Sequence, residues 1–133
     1  MAGVWGRALA VWLLIVVAES IHGTLRVLFL QPLVGDFPAR RLAVFSGMAI
    51  IFAISWLGVR WIGARGSRQW LAIGAAWVAL IVAFEVGLGR LVMHLSWDRI
   101  LEDYDPSRGG LMLLGLAVMG LSPWAAARWR AAG

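Results

Sequence analysis

The chain has 133 residues and contains no cysteine and no lysine, and only seven of its side chains are acidic. Without cysteine there is no disulfide, no thiolate-held zinc and no iron–sulfur cluster, and the redox compartment stays undetermined. Charged residues make up 14% of the chain and hydrophobic ones 62%, with a mean hydropathy of +0.83. A globule of this size and composition cannot coat itself with polar groups, so the expected solvent is the lipid bilayer. At about 20 apolar residues per crossing, the length allows four helices with tight connections and no separate soluble domain. The formal charge of +5 does not call for nucleic acid, because the arginines stand between apolar runs and form no solvated patch.

Catalytic and cofactor signatures are also missing. No Ser-His-Asp order, HExxH, phosphate loop or nucleotide fingerprint occurs, and no metal or cofactor is expected. Glu19-x-x-His22 has the spacing of a di-iron bundle motif, but Leu88 stands where a second histidine would fall. His22 and His94 differ by six residues in the repeat described below, roughly 9 Å in depth at 1.5 Å per residue, too far apart to share one haem.

Four spans are expected at about 8–33, 42–62, 70–95 and 111–129. Pro32 and the Gly35-Asp36-Phe37-Pro38 turn end the first. The early arginine and the run 8–18 have the form of a signal peptide, but the apolar stretch resumes at Val27 and Ala18-Glu19-Ser20 is a poor cleavage site, so the segment is read as a membrane span. Between spans three and four, Trp97, Ile100, Leu101 and Tyr104 recur at i, i+3, i+4 and i+7 behind Ser96, which predicts a short interfacial amphipathic helix over 97–104. Pro106 and Gly109-Gly110 end it.

Arg7, Arg60, Arg65, Arg68, Arg128 and Arg130 collect on one side. Arg40, Arg41, Arg99 and Arg108 on the other side mix with Asp36, Asp98, Glu102, Asp103 and Asp105. The positive-inside rule then predicts a multi-pass protein of the cell (inner) membrane with both termini cytoplasmic. Trp5, Trp56, Trp61, Trp70, Trp97, Trp124 and Trp129 fall near span ends, as an aromatic belt would.

The two halves echo each other. Trp5, Trp12, Glu19, Gly23, Arg41, Arg60 and Trp61 answer to Trp70, Trp77, Glu85, Gly89, Arg108, Arg128 and Trp129 at offsets of 65 to 68 residues. The expected fold is therefore an all-α integral membrane protein with four transmembrane helices. It is built from two tandem helical hairpins, 1–66 and 67–133, in one domain with pseudo-two-fold symmetry along the membrane normal.

Inside the spans lie Glu19, His22, Arg26, Glu85 and Arg90, and a charge at mid-bilayer costs roughly 3 kcal/mol even on the insertion scale. Glu19, His22, Gly23 and Arg26 share one helix face within about 100°. Glu85 and Gly89 share another, with Arg90 and His94 about 140° and 180° away from Glu85. Two glutamates and two arginines can neutralise one another as a structural staple. They can also form a site in which Glu19 and Glu85 exchange protons or hold a cation, Arg26 and Arg90 hold an anion or gate the carboxylates, and His22 relays a proton. His94, Trp12 and Trp77 are accessory candidates.

Ala18-Glu19-Ser20-Ile21-His22-Gly23-Thr24-Leu25 resembles the first-helix glutamate segment of the small multidrug resistance transporters, which are also short four-span proteins working as dimers. The resemblance covers those eight residues. Glu85 and Arg90 stand where that family's third helix is apolar and aromatic, so its activity is not carried over.

The expected function is binding or transport of a small polar or charged solute or ion, by a chain that is alone, a homodimer or part of a larger membrane complex. One alternative is a structural or accessory subunit docking through Gly109, Gly110, Gly115 and Gly120. Another is an intramembrane enzyme with a buried glutamate as general base.

Overall fold

In a computed structural model of the protein, which describes residues 2–108 and 110–132, every regular element is helical. Gly109 lies outside the described residues, as do the side chains of Asp103 and Arg108. The order is α1 (Ala2–Leu25), a π-helical segment (Arg26–Leu30), α2 (Gln31–Val34), α3 (Asp36–Ile62), α4 (Ser67–Gly87), a second π-helical segment (Leu88–Val92), α5 (Trp97–Tyr104), a 3-10 turn (Pro106–Arg108) and α6 (Met112–Ala132). Three stretches are long and apolar enough to cross a membrane: Gly3–Val34, Asp36–Ile62 and Ser67–Val92.

Helix boundaries follow from a few residues. Gly35, at φ 93°, separates α2 from α3. The sequence suggests that the Asp36-Phe37-Pro38 stretch is a turn with the next helix near 42, yet α3 begins at Asp36. Pro38 falls in the first turn, where its missing N–H costs nothing, and Asp36 suits the positive end of the helix dipole. At the far end Gly63 adopts a left-handed conformation (φ 69°) and its N–H returns to the Val59 carbonyl at 3.1 Å. Ser96 caps α5 by accepting from the Arg99 N–H at 3.1 Å.

Packing is closest where side chains are smallest. A Cβ placed on Gly74 of α4 would lie 1.8 Å from the Gly120 carbonyl of α6, so the two backbones are in direct contact. Gly58 of α3 similarly receives Val11 of α1. The core, with Ile15, Ile62, Ile73, Trp77, Met119 and Ala126 almost wholly buried, lies among α1, α3, α4 and α6.

Arginines brace one end of the bundle. Arg7 donates to the Trp61 carbonyl at 2.9 Å and lies over the Trp61 ring, and Arg130 donates to the Trp56 carbonyl at 2.5 Å and lies over the Trp56 ring. The start of α1 and the last turns of α3 and α6 are thereby held together, and the Trp61 carbonyl at the end of α3 gains a cationic donor. Trp5, Trp61, Trp97 and Trp129 are exposed. Trp70 is turned inward and is 8% exposed, because it packs into the core at the start of α4.

Candidate functional site

Towards the other end the four long helices surround a cavity of about 560 Å³. Ile15, Ile51, Ile81 and Met119 form its apolar floor. Glu19, His22 and Glu85 line its middle, and Arg26, Arg40, Arg99, Ile100 and Tyr104 line its outer part. Glu19, His22, Arg26 and Glu85 are thus brought to one cavity by two helices.

Arg90 and His94 are not. Arg90 is exposed, donates to the Leu95 carbonyl at 2.9 Å and lies 4.8 Å from the Trp97 ring. It braces the end of the second π-helical segment, with its guanidinium drawn out of the span toward the interface. His94 is exposed at φ 54°, a left-handed residue that ends the helix. Trp12 and Trp77 lie in the core, and Trp77 donates to the Ala8 carbonyl of α1 at 3.1 Å.

Glu19 is placed by its neighbour across the helix pair. A Cβ on Gly47 of α3 would come within 3.1 Å of Glu19 Oε2, so the absence of a side chain there admits the carboxylate. The same oxygen lies 3.6 Å from His22 Nδ1, while Oε1 is shut off from solvent with no hydrogen-bond partner among the described residues. His22 Nε2 lies 2.6 Å from Ser46 Oγ, and Ser46 is also 3.2 Å from the Ala43 carbonyl. The serine has one proton for two neighbours. When it donates to Ala43, His22 Nε2 carries the hydrogen, and a proton on Glu19 or a second one on the ring removes the repulsion between Nδ1 and the carboxylate 3.6 Å away. When it donates to His22, Nδ1–H faces the carboxylate directly. The imidazole tautomer, the serine rotor and the proton on Glu19 are therefore coupled.

The sequence reading expects α5 as an interfacial helix but does not single out Arg40 as a site residue. Arg40 is 6% exposed, and its Nη2 contacts Glu102 Oε1 at 2.5 Å and Asp36 Oδ2 at 3.1 Å. Arg99 Nε reaches the same Asp36 oxygen at 3.5 Å. Ile100 sits on Gly89, where a Cβ would stand 3.2 Å from its Cδ1. Two ionic contacts and one apolar plug so hold α5 over the mouth of the cavity. The Trp97/Ile100 periodicity was a usable signal for the plug. The Arg40–Glu102 pair, 62 residues apart, left none.

No protein-family profile, curated protein or solved structure matches the chain.

Proposed function

We propose that the protein binds, and passes across the membrane, a small polar or charged solute or ion at the cavity lined by Glu19, His22, Arg26 and Glu85. The observation that carries this reading is the position of Glu19: a carboxylate within a membrane-spanning stretch, at a cavity instead of a closed ion pair, with one oxygen lacking a donor among the described residues. Such a group is costly in lipid and finds its compensation in a proton or a bound cation.

In this reading α6 is a fourth crossing, which completes two hairpins related by a pseudo-two-fold axis along the membrane normal. Both polar helices end in π-helical segments, after Glu19 and after Glu85, which supports the internal repeat. The acid-free arginine end, with both termini, is cytoplasmic in the inner membrane, in keeping with Arg7 and Arg130 meeting on α3.

The test is proton uptake by proteoliposomes loaded with a pH-sensitive dye. The wild-type chain passes protons down an imposed gradient, and Glu19→Gln reduces the rate to the lipid background with helical content unchanged. A Glu19→Gln rate equal to wild type defeats the proposal.

A second reading, an intramembrane enzyme, is favoured by the order Ser46, His22, Glu19, in which a hydroxyl, an imidazole and a carboxylate stand in sequence. It ranks second because Ser46 lies inside α3, whose backbone N–H groups are engaged in the helix and offer no oxyanion cradle. The accessory-subunit reading has less to dock with, since Gly120 faces Gly74 and Gly115 faces Val44 of the same chain.

A further inference from the structure

The two ends of the bundle treat their arginines differently. No acidic side chain occurs before Glu19, between Asp36 and Glu85 or after Asp105, so Arg7, Arg60, Arg65, Arg68, Arg128 and Arg130 share an end without carboxylate side chains. There Arg7 and Arg130 meet carbonyls and indole rings, and Arg128 lies over Trp124. At the cavity end, by contrast, Arg40 and Arg99 are matched by Asp36 and Glu102. A carbonyl or a ring face holds a guanidinium without cancelling its charge. The compensating anions at the arginine end therefore come from outside the chain.

A furrow begins beneath one of these residues. Arg7, Ala10, Val11 and Leu14 recur at i, i+3, i+4 and i+7 on α1, and Ile54, Leu57, Gly58 and Trp61 do the same on α3, so each set forms one helix stripe. The stripes face each other, since Arg7 reaches Trp61 at the head and Val11 packs on Gly58 about a turn below. Ala10 and Gly58 leave a depression of about 240 Å³ between the taller walls of Leu14, Leu57 and Trp61, which are exposed. From Arg7 to Leu14 it follows α1 for about 10 Å at 1.5 Å per residue. Both helices belong to stretches long and apolar enough to cross a membrane, so the furrow lies against acyl chains with Arg7 at headgroup level.

Charge at the head and apolar walls below it select one occupant. We propose that this furrow seats an acyl chain of an anionic phospholipid, with the lipid phosphate on the Arg7 guanidinium beside the Trp61 ring. Arg7 is exposed and uses Nη1 on the Trp61 carbonyl, and a guanidinium has five N–H groups, so donors remain for phosphate oxygens. Arg60, exposed one residue before Trp61, adds a second cation at that level. A zwitterionic head brings an ammonium group for which this end has no carboxylate side chain. The inference stands apart from the solute site, because no residue that lines the furrow lines the larger cavity.

The experiment uses the full chain in phosphatidylcholine nanodiscs that hold a minor share of phosphatidylglycerol carrying a photoactivatable diazirine on one chain, with adducts located by mass spectrometry. Adducts are expected to concentrate at Leu14, Ile54 and Leu57 over Leu13 and Leu121, which are exposed leucines off the furrow. Unlabelled phosphatidylglycerol displaces them, whereas glycerol 3-phosphate, which has the head and no chains, does not. The same diazirine on phosphatidylcholine labels furrow and control leucines alike. Arg7→Gln lowers the furrow adducts about fivefold, as one arginine fewer at an anionic head predicts. Ala10→Trp, which fills the furrow from an exposed position, also lowers them, and Arg90→Gln at the opposite end leaves them unchanged.

The same adduct pattern from both labelled lipids, displacement by glycerol 3-phosphate, or undiminished furrow labelling of Arg7→Gln would overturn the proposal. The lipid comparison needs no variant, so a misfolded substitution cannot rescue it. If Glu19→Gln abolishes proton uptake while the two lipids label alike, only this inference falls. If phosphatidylglycerol labels the furrow specifically and Glu19→Gln leaves proton uptake unchanged, this inference stands and the solute-binding reading falls.

Discussion

The two Trp-Glu-Gly ladders are written in nearly the same letters and do different work. In the first half Gly23 faces open space and Arg26 lines the cavity; in the second Gly89 receives Ile100 and Arg90 leaves for the interface. The tryptophans differ too, since Trp77 Nε1 bonds Ala8 whereas Trp12 Nε1 has no partner among the described residues. Repeated spacing fixes which residues have the chance to be equivalent. What each does is decided by the neighbouring element, and the second half has α5 folded over it.

The largest test of this asymmetry concerns backbone contact. Gly74→Ala should destabilise the protein by about 3 kcal/mol or more in a denaturing-detergent titration, because the new methyl meets a carbonyl that cannot turn aside. A cost no greater than that of Gly115→Ala, which meets only ordinary contact with Val44, would show that α4 and α6 are not so close. Next comes Arg40→Gln. Removing a buried cation from Asp36 and Glu102 should cost on the order of 2–3 kcal/mol and free α5, seen as faster hydrogen exchange over Trp97–Tyr104. Unchanged exchange would mean that Ile100 alone seats the helix.

Smaller effects separate the ladders themselves. Trp77→Phe should cost about 1 kcal/mol through its lost hydrogen bond, whereas Trp12→Phe, which removes an N–H with no partner found, should cost less. Equal costs would restore the symmetry. Smallest is the glycine pair. Gly23→Ala should stabilise by about 0.5–1 kcal/mol, since the methyl enters open space in a helix. Gly89→Ala should be neutral or slightly destabilising, because Ile100 Cδ1 must yield. A stabilisation of equal size at both would remove Ile100 as the reason for Gly89.

Much of the helical order was readable because its signals are local. Ser96 with the Trp97, Ile100, Leu101 and Tyr104 spacing located α5, and the run from Glu19 to Arg26 gave a shared face that does line the cavity. Arg90 and His94 stay off the cavity that Glu85 lines, as the 140° and 180° between them and Glu85 at ideal helical steps already suggest. The backbone enters a wider i to i−5 turn at Leu88 and then a left-handed residue. Ser46 was hidden among small residues of an otherwise apolar span. Its part depends on His22 across the helix pair, a contact that no periodicity within either helix encodes.

The Gly74–Gly120 contact also governs mechanics. Two main chains that already touch cannot slide or roll without forcing peptide planes through one another, so α4 and α6 travel as one rigid slab. Helix α1, which meets its neighbours largely through side chains such as Val11 and Glu19, is the compliant partner. The Trp77 hydrogen bond to Ala8 ties α1 to that slab near its first turns.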